Sequence, residues 1–157
     1  MHEVSLRAAT LDDVGPLIAF WRIAGENDSR PADSEAALRR LLERDPDAAV
    51  VAEHDDAVVG TVIAGWDGWR AHLYRLAVHP DHRRRGIGTL LLEAAERRLV
   101  ELGVTRFDAM VLRGNDLGAA AWTARGYQPQ QEWRRWVRAA PHSPCVPSTS
   151  EAVRPTR

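Results

Sequence analysis

The sequence predicts a mixed α/β (α+β) fold with a central sheet of six to seven strands, flanked by about four helices. Three observations predict it. Short segments in which apolar and polar residues alternate are interspersed with longer segments in which apolar residues recur at helical spacing. The chain has 157 residues, 45% of them apolar, which suits one domain with an ordinary core. An Asp67-Gly68 pair between two strand-like segments is typical of a two-residue hairpin turn.

The first third of the chain predicts a strand followed by two helices. Residues 3–9 alternate weakly and form the strand. Thr10 and Asp13 have the spacing of a capping box at the start of the first helix. After a polar loop at residues 25–33, Ser34 is placed to cap the second helix.

The remaining elements alternate between strands and helices. Strands are predicted at residues 48–53, 57–66, 69–79, 105–112 and 130–139, and helices at residues 87–102 and 116–125. Gly103 and Gly126 follow the two helices, as expected for helix ends. A further short strand near Tyr127 would bring the sheet to seven strands.

The predicted domain spans residues 1–139. Residues 140–157 are rich in proline, serine and threonine, which predicts a flexible tail. The sequence shows no internal repeat and no second domain.

Composition argues against several classes of protein. The net charge of −1 argues against wholesale nucleic-acid binding, which usually requires a strongly basic balance. The single cysteine, Cys145, excludes an internal disulfide and a cysteine-based zinc site. The chain has neither an apolar signal segment nor an apolar run of membrane-spanning length, so we expect a soluble cytoplasmic protein without a membrane partner. All 21 basic residues are arginine, so no lysine side chain of the protein can be acylated.

The stretch from Arg83 to Gly88 predicts an anion-binding site. Three arginines run into Gly86-Ile87-Gly88, where a strand has ended and a helix begins. The first turn of a helix presents unpaired backbone N–H groups and a positive partial charge. Glycine removes the Cβ that would keep a ligand away from these donors, and guanidinium groups add phosphate donors. The pattern therefore favours a pyrophosphate.

Two common pyrophosphate motifs do not fit. A P-loop requires a lysine, which the chain lacks, and a dinucleotide fingerprint requires a third glycine where Leu91 stands. Two other interpretations stay open: a solvated arginine run before a helix, and an arginine face that holds nucleic acid.

Two motifs resemble those of the GNAT superfamily of N-acetyltransferases. The first is the strand end "LAVHP", residues 76–80, followed by Arg83-x-x-Gly86-x-Gly88, which resembles the acetyl-CoA-binding motif of the superfamily. The second is "NDLGAAAWTARGY", residues 115–127. The order of elements is similar to that of the superfamily from residue 3 to residue 138.

The resemblance implies a GNAT-like, mostly antiparallel sheet with one splayed parallel strand pair and acetyl-CoA as co-substrate. Pantetheine would lie between the strand of Leu76 and the strand at 105–112, with the pyrophosphate on the amides of Arg84 to Thr89. Asn115 would bond the pantetheine or shape the wedge. The residues expected to bind the coenzyme are Leu76, Ala77, Val78, Arg83, Arg84, Arg85, Gly86, Ile87, Gly88, Thr89, Asn115, Ala119 and Trp122.

The catalytic groups depart from the pattern of the superfamily. Trp122 stands where many members carry a proton-donating tyrosine, and an indole N–H is a poor acid. Met110 stands where some carry a glutamate base. His72 is the candidate base, because its unperturbed pKa suits proton transfer near neutrality. Tyr74, on the same face by alternation, is a candidate to orient the acceptor or donate a proton. The alternative for both residues is ordinary strand packing.

Other polar and aromatic residues receive weaker hypotheses. His79 and His82 are interpreted as ordinary loop histidines, and no metal site is expected. Glu26 and Asp28 are candidates to attract a cationic amine. Tryptophans at 66, 69, 133 and 136 are interpreted as packing residues, of which one or two border the acceptor pocket.

The sequence thus predicts an acyl-CoA-dependent N-acetyltransferase that moves an acetyl group to a small-molecule or peptide amine. The alternative is a non-catalytic acyl-CoA-binding or regulatory module of the same fold. No feature of the sequence decides between a monomer and a homodimer, or identifies the acceptor.

Overall fold

The computed structural model describes residues 3–25 and 32–141. Contacts within the chain define two compact units, Met1–Tyr127 and Gln128–Arg157. All helices and strands of the described residues belong to the first unit. From residue 142 onwards, the predicted tail and Cys145 lie outside the described residues, as do Glu26 and Asp28.

The described part of the first unit contains five strands and four α-helices. The strands are β1 (Ser5–Ala8), β2 (Ala49–His54), β3 (Ala57–Trp66), β4 (Ala71–Val78) and β5 (Phe107–Ala109). The helices are α1 (Val14–Ala24), α2 (Glu35–Arg44), α3 (Ile87–Glu101) and α4 (Asp116–Ala124). Short 3-10 turns at Leu11–Asp13 and Pro80–His82 lie before α1 and α3.

The sheet confirms the predicted mixed, mostly antiparallel architecture. Its strand order is β1-β2-β3-β4-β5, and only the β4–β5 pair is parallel. That pair extends from Ala71↔Phe107 to Leu73↔Ala109 and stops there. Among the described residues, therefore, the β5 side of β4 has no strand partner beyond Leu73.

The predicted count of six to seven strands is wrong, because the described residues form five. The expected strand at 130–139 is not formed, nor is the one near Tyr127. Trp133, Trp136 and Val137 are 70%, 92% and 78% exposed, so the apolar positions that suggested a strand bury little surface. A strand-like pattern is stabilised only when its side chains pack against a neighbour.

The predicted strand at 105–112 is shortened to Phe107–Ala109. Met110, Val111 and Leu112 are exposed, because β5 leaves β4 after Ala109. The hairpin between β3 and β4 is also longer than the predicted two residues. Its loop spans residues 67–70, and the backbone N–H of Asp67 donates to the carbonyl of Arg70.

Two apolar clusters cover the two faces of the sheet. The first packs α1 and α2 against the sheet through residues such as Val14, Leu17 and Val51. The second packs α3 through residues such as Leu91 and Leu99, both 0% exposed. Burial of these helical stripes holds the ends of β4 and α3 in fixed positions.

The predicted helix starts at α1 and α2 are confirmed. The Asp13 carboxylate accepts the backbone N–H of Thr10 at 2.7 Å, and it also accepts from the Arg7 guanidinium at 2.7 Å. The Ser34 hydroxyl accepts the backbone N–H of Ala37 at 3.1 Å, which caps α2.

Candidate functional site

The segment between β4 and α3 reverses the chain in a few residues. His79 begins the 3-10 turn, and its Nδ1 accepts the backbone N–H of Asp81 at 3.3 Å. The Arg83 Nε donates to the carbonyl of Val78 at 3.1 Å. Arg83 therefore connects the loop to the end of β4, so part of its guanidinium is already engaged within the protein.

The helix α3 begins directly after a left-handed turn. Gly86 has φ of 79°, and Arg84 has φ of 63°. The first hydrogen bond of the helix runs from the N–H of Leu90 to the carbonyl of Gly86 at 3.1 Å. The amide groups that precede Leu90 in this turn have no partner within the helix, which makes its start suited to an anion.

Both glycines of the motif face open space. A Cβ built on Gly86 would meet no atom within 4 Å, and one built on Gly88 would meet only Val78 Cγ2, at 3.9 Å. A side chain at position 88 would occupy the space in front of the first turn. The residues present therefore leave room for a phosphate group close to the backbone.

The side chain of Ile87 has a different role from its neighbours. It is 2% exposed and packs in the second cluster. A Cβ on Gly60 of β3 would lie 2.9 Å from Ile87 Cγ2. Ile87 therefore anchors the helix start to the sheet, and only its backbone is available to a ligand.

The unpaired edge of β4 lies next to this helix start. Leu76, Ala77 and Val78 are half-buried, and Val78 is the side chain nearest to Gly88. The helix start and the open strand edge thus form one continuous surface, which we call the cradle: residues 76–78 and 83–89.

The second motif forms α4 and its cap. The Asn115 Oδ1 accepts the backbone N–H of Gly118 at 2.8 Å, so Asn115 caps the helix. A Cβ on Gly118 would lie 2.6 Å from Asn115 Nδ2, which explains why a glycine stands there. Ala119 is exposed, whereas Trp122 is 8% exposed and packs in the second cluster. The structure therefore places Trp122 in the core, with little surface left for a ligand.

Sequence reasoning missed a polar network that joins α4 to α3. The Tyr127 hydroxyl donates to Glu96 at 2.7 Å, and the Arg125 guanidinium donates to Glu96 at 3.0 Å and Glu93 at 3.2 Å. Burial, together with the hydrogen bond to Glu96, raises the pKa of Tyr127. The only signal for this network in the sequence is the Gly-aromatic ending of the motif, because charged residues about thirty positions apart form no local pattern.

His72 and Tyr74 lie on the same face of β4, as predicted. Both are exposed, and they point away from the cluster that contains Leu73. A Cβ on Gly65 would lie 3.1 Å from both Cε1 and Oη of Tyr74, so the phenol lies across that glycine. Burial raises the pKa of Tyr74.

Two carboxylates lie near His72. Asp108 of β5 is its register partner in the parallel pair. Asp67 accepts backbone N–H groups from Arg70 at 2.6 Å and Trp69 at 2.8 Å. These bonds lower the pKa of Asp67, and the charge of a protonated His72 lowers it further.

The other aromatic and apolar candidates are not on β4. Met110 is 60% exposed beyond the end of β5, and Trp69 is 81% exposed in the hairpin loop. Trp133 and Trp136 belong to the unit that begins at Gln128.

The two loop histidines, His79 and His82, lie close to a third histidine, His54, at the end of β2. The ring of His82 lies 5.3 Å from that of His54 and 5.8 Å from that of His79, between centroids. Burial lowers the pKa of His82, which favours its neutral form. Over residues 3–25 and 32–141, no group of three or more histidine, cysteine or acidic side chains is arranged to hold a metal ion. In the same residues, no helix combines the length and hydropathy needed to cross a bilayer.

Solved structures with the same fold define the class of protein. A PaiA N-acetyltransferase from Thermoplasma acidophilum, solved in complex with coenzyme A, aligns with a TM-score of 0.73 at 20% identity, covering 82% of this chain and 91% of that one. A diaminobutyrate acetyltransferase from Paenibacillus lautus, solved with its substrate and coenzyme A, aligns with a TM-score of 0.67 at 21% identity, covering 80% and 75%. The fold is therefore that of the GNAT N-acetyltransferases.

Sequence comparison then gives the family. Residues 17–127 match the Acetyltransferase (GNAT) family. An acetyltransferase of Sodalis glossinidius is 34% identical over 128 residues, which span 81% of this chain and 89% of that protein. The chain belongs to the GNAT acetyltransferase family.

Proposed function

We propose that this chain transfers an acetyl group from acetyl-CoA to a primary amine of a small molecule or peptide, by direct attack of the amine in a ternary complex. The observation that carries the proposal is the cradle. Gly86 and Gly88 leave open space in front of the first turn of α3, beside the unpaired edge of β4. This arrangement suits an elongated ligand with a diphosphate at one end.

Different residues of the cradle bind different parts of the coenzyme. Backbone amides from Arg84 to Thr89 take the pyrophosphate, and the exposed guanidinium groups of Arg84 and Arg85 add charge. The backbone of residues 76–78 takes the pantetheine. We assign Asn115 and Ala119 to the other side of the wedge, with Trp122 supporting α4 from the core.

The transfer forms a nitrogen–carbon bond and breaks the carbon–sulfur bond of the thioester. The amine must be neutral to attack, and it gives up one proton as the amide forms. A backbone N–H near Val78 polarises the thioester carbonyl. The sulfur leaves as a thiolate, which then takes a proton from water or from a nearby donor.

We assign the proton acceptor to His72. His72 lies on the exposed face of β4, with the carboxylates of Asp67 and Asp108 near it. Tyr74 orients the acceptor or donates a proton to the departing sulfur. Its raised pKa keeps the phenol protonated at neutral pH.

A second function, acyl-CoA binding without catalysis, is favoured by one observation. Neither usual catalytic position carries a group that can transfer a proton: Trp122 is buried in the core, and Met110 is a thioether. Tyr127, which lies just after α4, donates its hydroxyl hydrogen bond to Glu96, and its pKa is raised. The two functions differ in whether thiol is released.

Two measurements on the purified chain test the proposal. Calorimetry with coenzyme A tests the cradle, and thiol release from acetyl-CoA across a panel of primary amines tests the transfer. The panel includes diamines, amino acids, aminoglycosides and short peptides. Binding together with amine-dependent release supports the proposal. Binding without release across the panel supports the non-catalytic module, and absence of binding overturns both.

A further inference from the structure

A bulge in β4 separates the two parts of the proposed site. Between Thr61 and Ile63 the register shifts, so that two residues of β4, Arg75 and Leu76, lie opposite the single residue Val62. Arg75 has φ of 54°, a left-handed conformation that is uncommon outside glycine. An extra residue reverses the alternation of side chains along the rest of the strand.

The bulge decides which side chains face the acceptor and which face α3. His72 and Tyr74 are exposed on one face, whereas Leu76 and Val78 pack with the cluster on the other. In a regular strand, these four even-numbered residues would share one face. The bulge thus lets the proposed catalytic pair and the coenzyme-binding segment occupy the same strand.

A buried hydroxyl holds the bulge. Thr61 is 2% exposed, and its Oγ1 donates to the carbonyl of Arg75 at 2.8 Å. The same oxygen accepts the indole N–H of Trp21 at 2.9 Å. Trp21 is 3% exposed on α1, so the bond links the bulged strand to the helix that covers it.

The side chain of Arg75 is held from a second direction. Its Nε donates to Asp33 Oδ1 at 2.8 Å, and its guanidinium carbon lies 5.5 Å from the centre of the Trp21 ring. Asp33 lies just before α2, in the part of the chain that leads into Ser34. Backbone and side chain of the strained residue are therefore both fixed by α1 and its neighbourhood.

We propose that Thr61, together with Trp21, is a positioning residue that sets the register of β4 at Arg75 and so aligns His72 with the coenzyme-binding segment. The inference rests on the proposed function. Thr61 touches no substrate; it acts through the backbone of Arg75.

The test compares three variants with a matched control. Thr61→Val removes both hydrogen bonds with little change of shape, Thr61→Ser keeps the hydroxyl, and Trp21→Phe removes only the indole N–H. Leu42→Ala is the control, because Leu42 is 4% exposed in the cluster that also contains Trp21 but lies on α2, and its apolar side chain makes no hydrogen bond to the bulge. All are measured at a temperature where each is fully folded.

We expect Thr61→Val to weaken coenzyme A binding and lower kcat by about tenfold each, and Trp21→Phe to act in the same direction, since each removes a bond that fixes the bulge. Thr61→Ser restores both values to within about twofold, because the Oγ is retained. Leu42→Ala lowers the melting temperature and leaves both values near those of the parent. Equal coenzyme affinity and kcat in Thr61→Val and Leu42→Ala would overturn the inference.

A readout on the unliganded protein separates this inference from the proposed function. Hydrogen exchange of the amides of residues 75–78 should speed up in Thr61→Val and not in Leu42→Ala. If the parent protein binds no coenzyme, the proposed function fails and exchange alone decides the role of Thr61. If Thr61→Val does not fold, Trp21→Phe with unchanged exchange and unchanged affinity contradicts the proposal.

Discussion

Gly60 on β3 and Ile87 at the start of α3 meet so closely that no side chain fits between them. A Cβ on Gly60 would lie 2.9 Å from Ile87 Cγ2 and from Leu91 Cδ1. The first turn of α3 is therefore positioned by a glycine that lies outside the motif whose amides it supports.

Gly60→Ala should move the helix start. The added methyl group overpacks a buried contact, which costs about 1–3 kcal/mol, and shifts Ile87 away from the sheet. We expect a lower melting temperature and weaker coenzyme A binding by calorimetry. Gly15→Ala is the control, because Gly15 lies on α1 with no atom within 4 Å of its Cβ position, and there alanine should stabilise the helix. A Gly60→Ala protein with parental stability and affinity would contradict this account.

Gly88→Leu should separate folding from coenzyme binding. Leucine is a good helix former, but its side chain would occupy the open space in front of the amides. We expect parental or higher thermal stability with coenzyme A affinity reduced by about tenfold or more, which corresponds to at least about 1.4 kcal/mol. Gly15→Leu, which replaces an exposed glycine in the first turn of α1, should leave coenzyme A affinity unchanged. If Gly88→Leu binds coenzyme A as tightly as the parent, the diphosphate does not bind at this helix start.

His72→Ala tests the assignment of the base. Loss of a general base lowers kcat/KM by about 10²–10⁴-fold, measured as thiol release with a productive amine. The difference in kcat/KM between the parent and His72→Ala should become smaller as the pH rises, because more of the amine is then already neutral before it binds. Added imidazole should restore part of the rate. If the variant keeps full activity at every pH, the assignment is wrong.

Asp13 should make the fold sensitive to acid. The hydrogen bond from Arg7 lowers the pKa of Asp13 from 3.8 to about 2. A carboxyl whose pKa is lower in the folded state stabilises the protein above its unfolded pKa, and this contribution is lost as the pH falls from about 5 to about 2. We expect Asp13→Asn to cost on the order of 1 kcal/mol at pH 7, since partly exposed ion pairs are screened.

Urea denaturation of the parent and of Asp13→Asn at pH 7 and at pH 3 measures the difference between their free energies of unfolding. This difference should be smaller at pH 3. An equal difference at the two pH values would show that the ion pair does not cause it.

The two tyrosines should behave in opposite ways. Tyr127→Phe removes a hydrogen bond to Glu96 and should lower stability by about 1–2 kcal/mol while leaving turnover unchanged. Tyr74→Phe should lower turnover with little change in stability, because its hydroxyl lies on the exposed face of the sheet. Thiol release and thermal unfolding of both variants separate these effects. Loss of turnover in Tyr127→Phe alone would transfer the role of proton donor to Tyr127.

Local patterns were enough to predict most of the fold. The apolar stripes of α1 to α4, the cap at Ser34 and the Gly86-x-Gly88 turn depend on residues close together in the sequence, and each is found where it was predicted. The prediction of a strand at 130–139 was wrong, because its pattern of Trp133 and Trp136 requires a partner surface that a local pattern cannot reveal.

The contacts that place the site could not be read from the sequence. Thr61 lies fourteen residues from Arg75 and forty from Trp21, and the bulge that joins them follows from their meeting in three dimensions. Nor does a spacing rule connect Gly60 to Ile87. The residues of the cradle were predicted by motif, whereas the residues that hold the cradle in shape come from long-range packing.

The separation of β5 from β4 after Leu73 also affects how the protein should be handled. A bare strand edge can pair with another chain, and natural proteins usually shield such edges. Without a ligand along residues 74–78, this edge invites self-association during concentration and storage. Purification in the presence of coenzyme A should therefore yield less precipitate than purification without it.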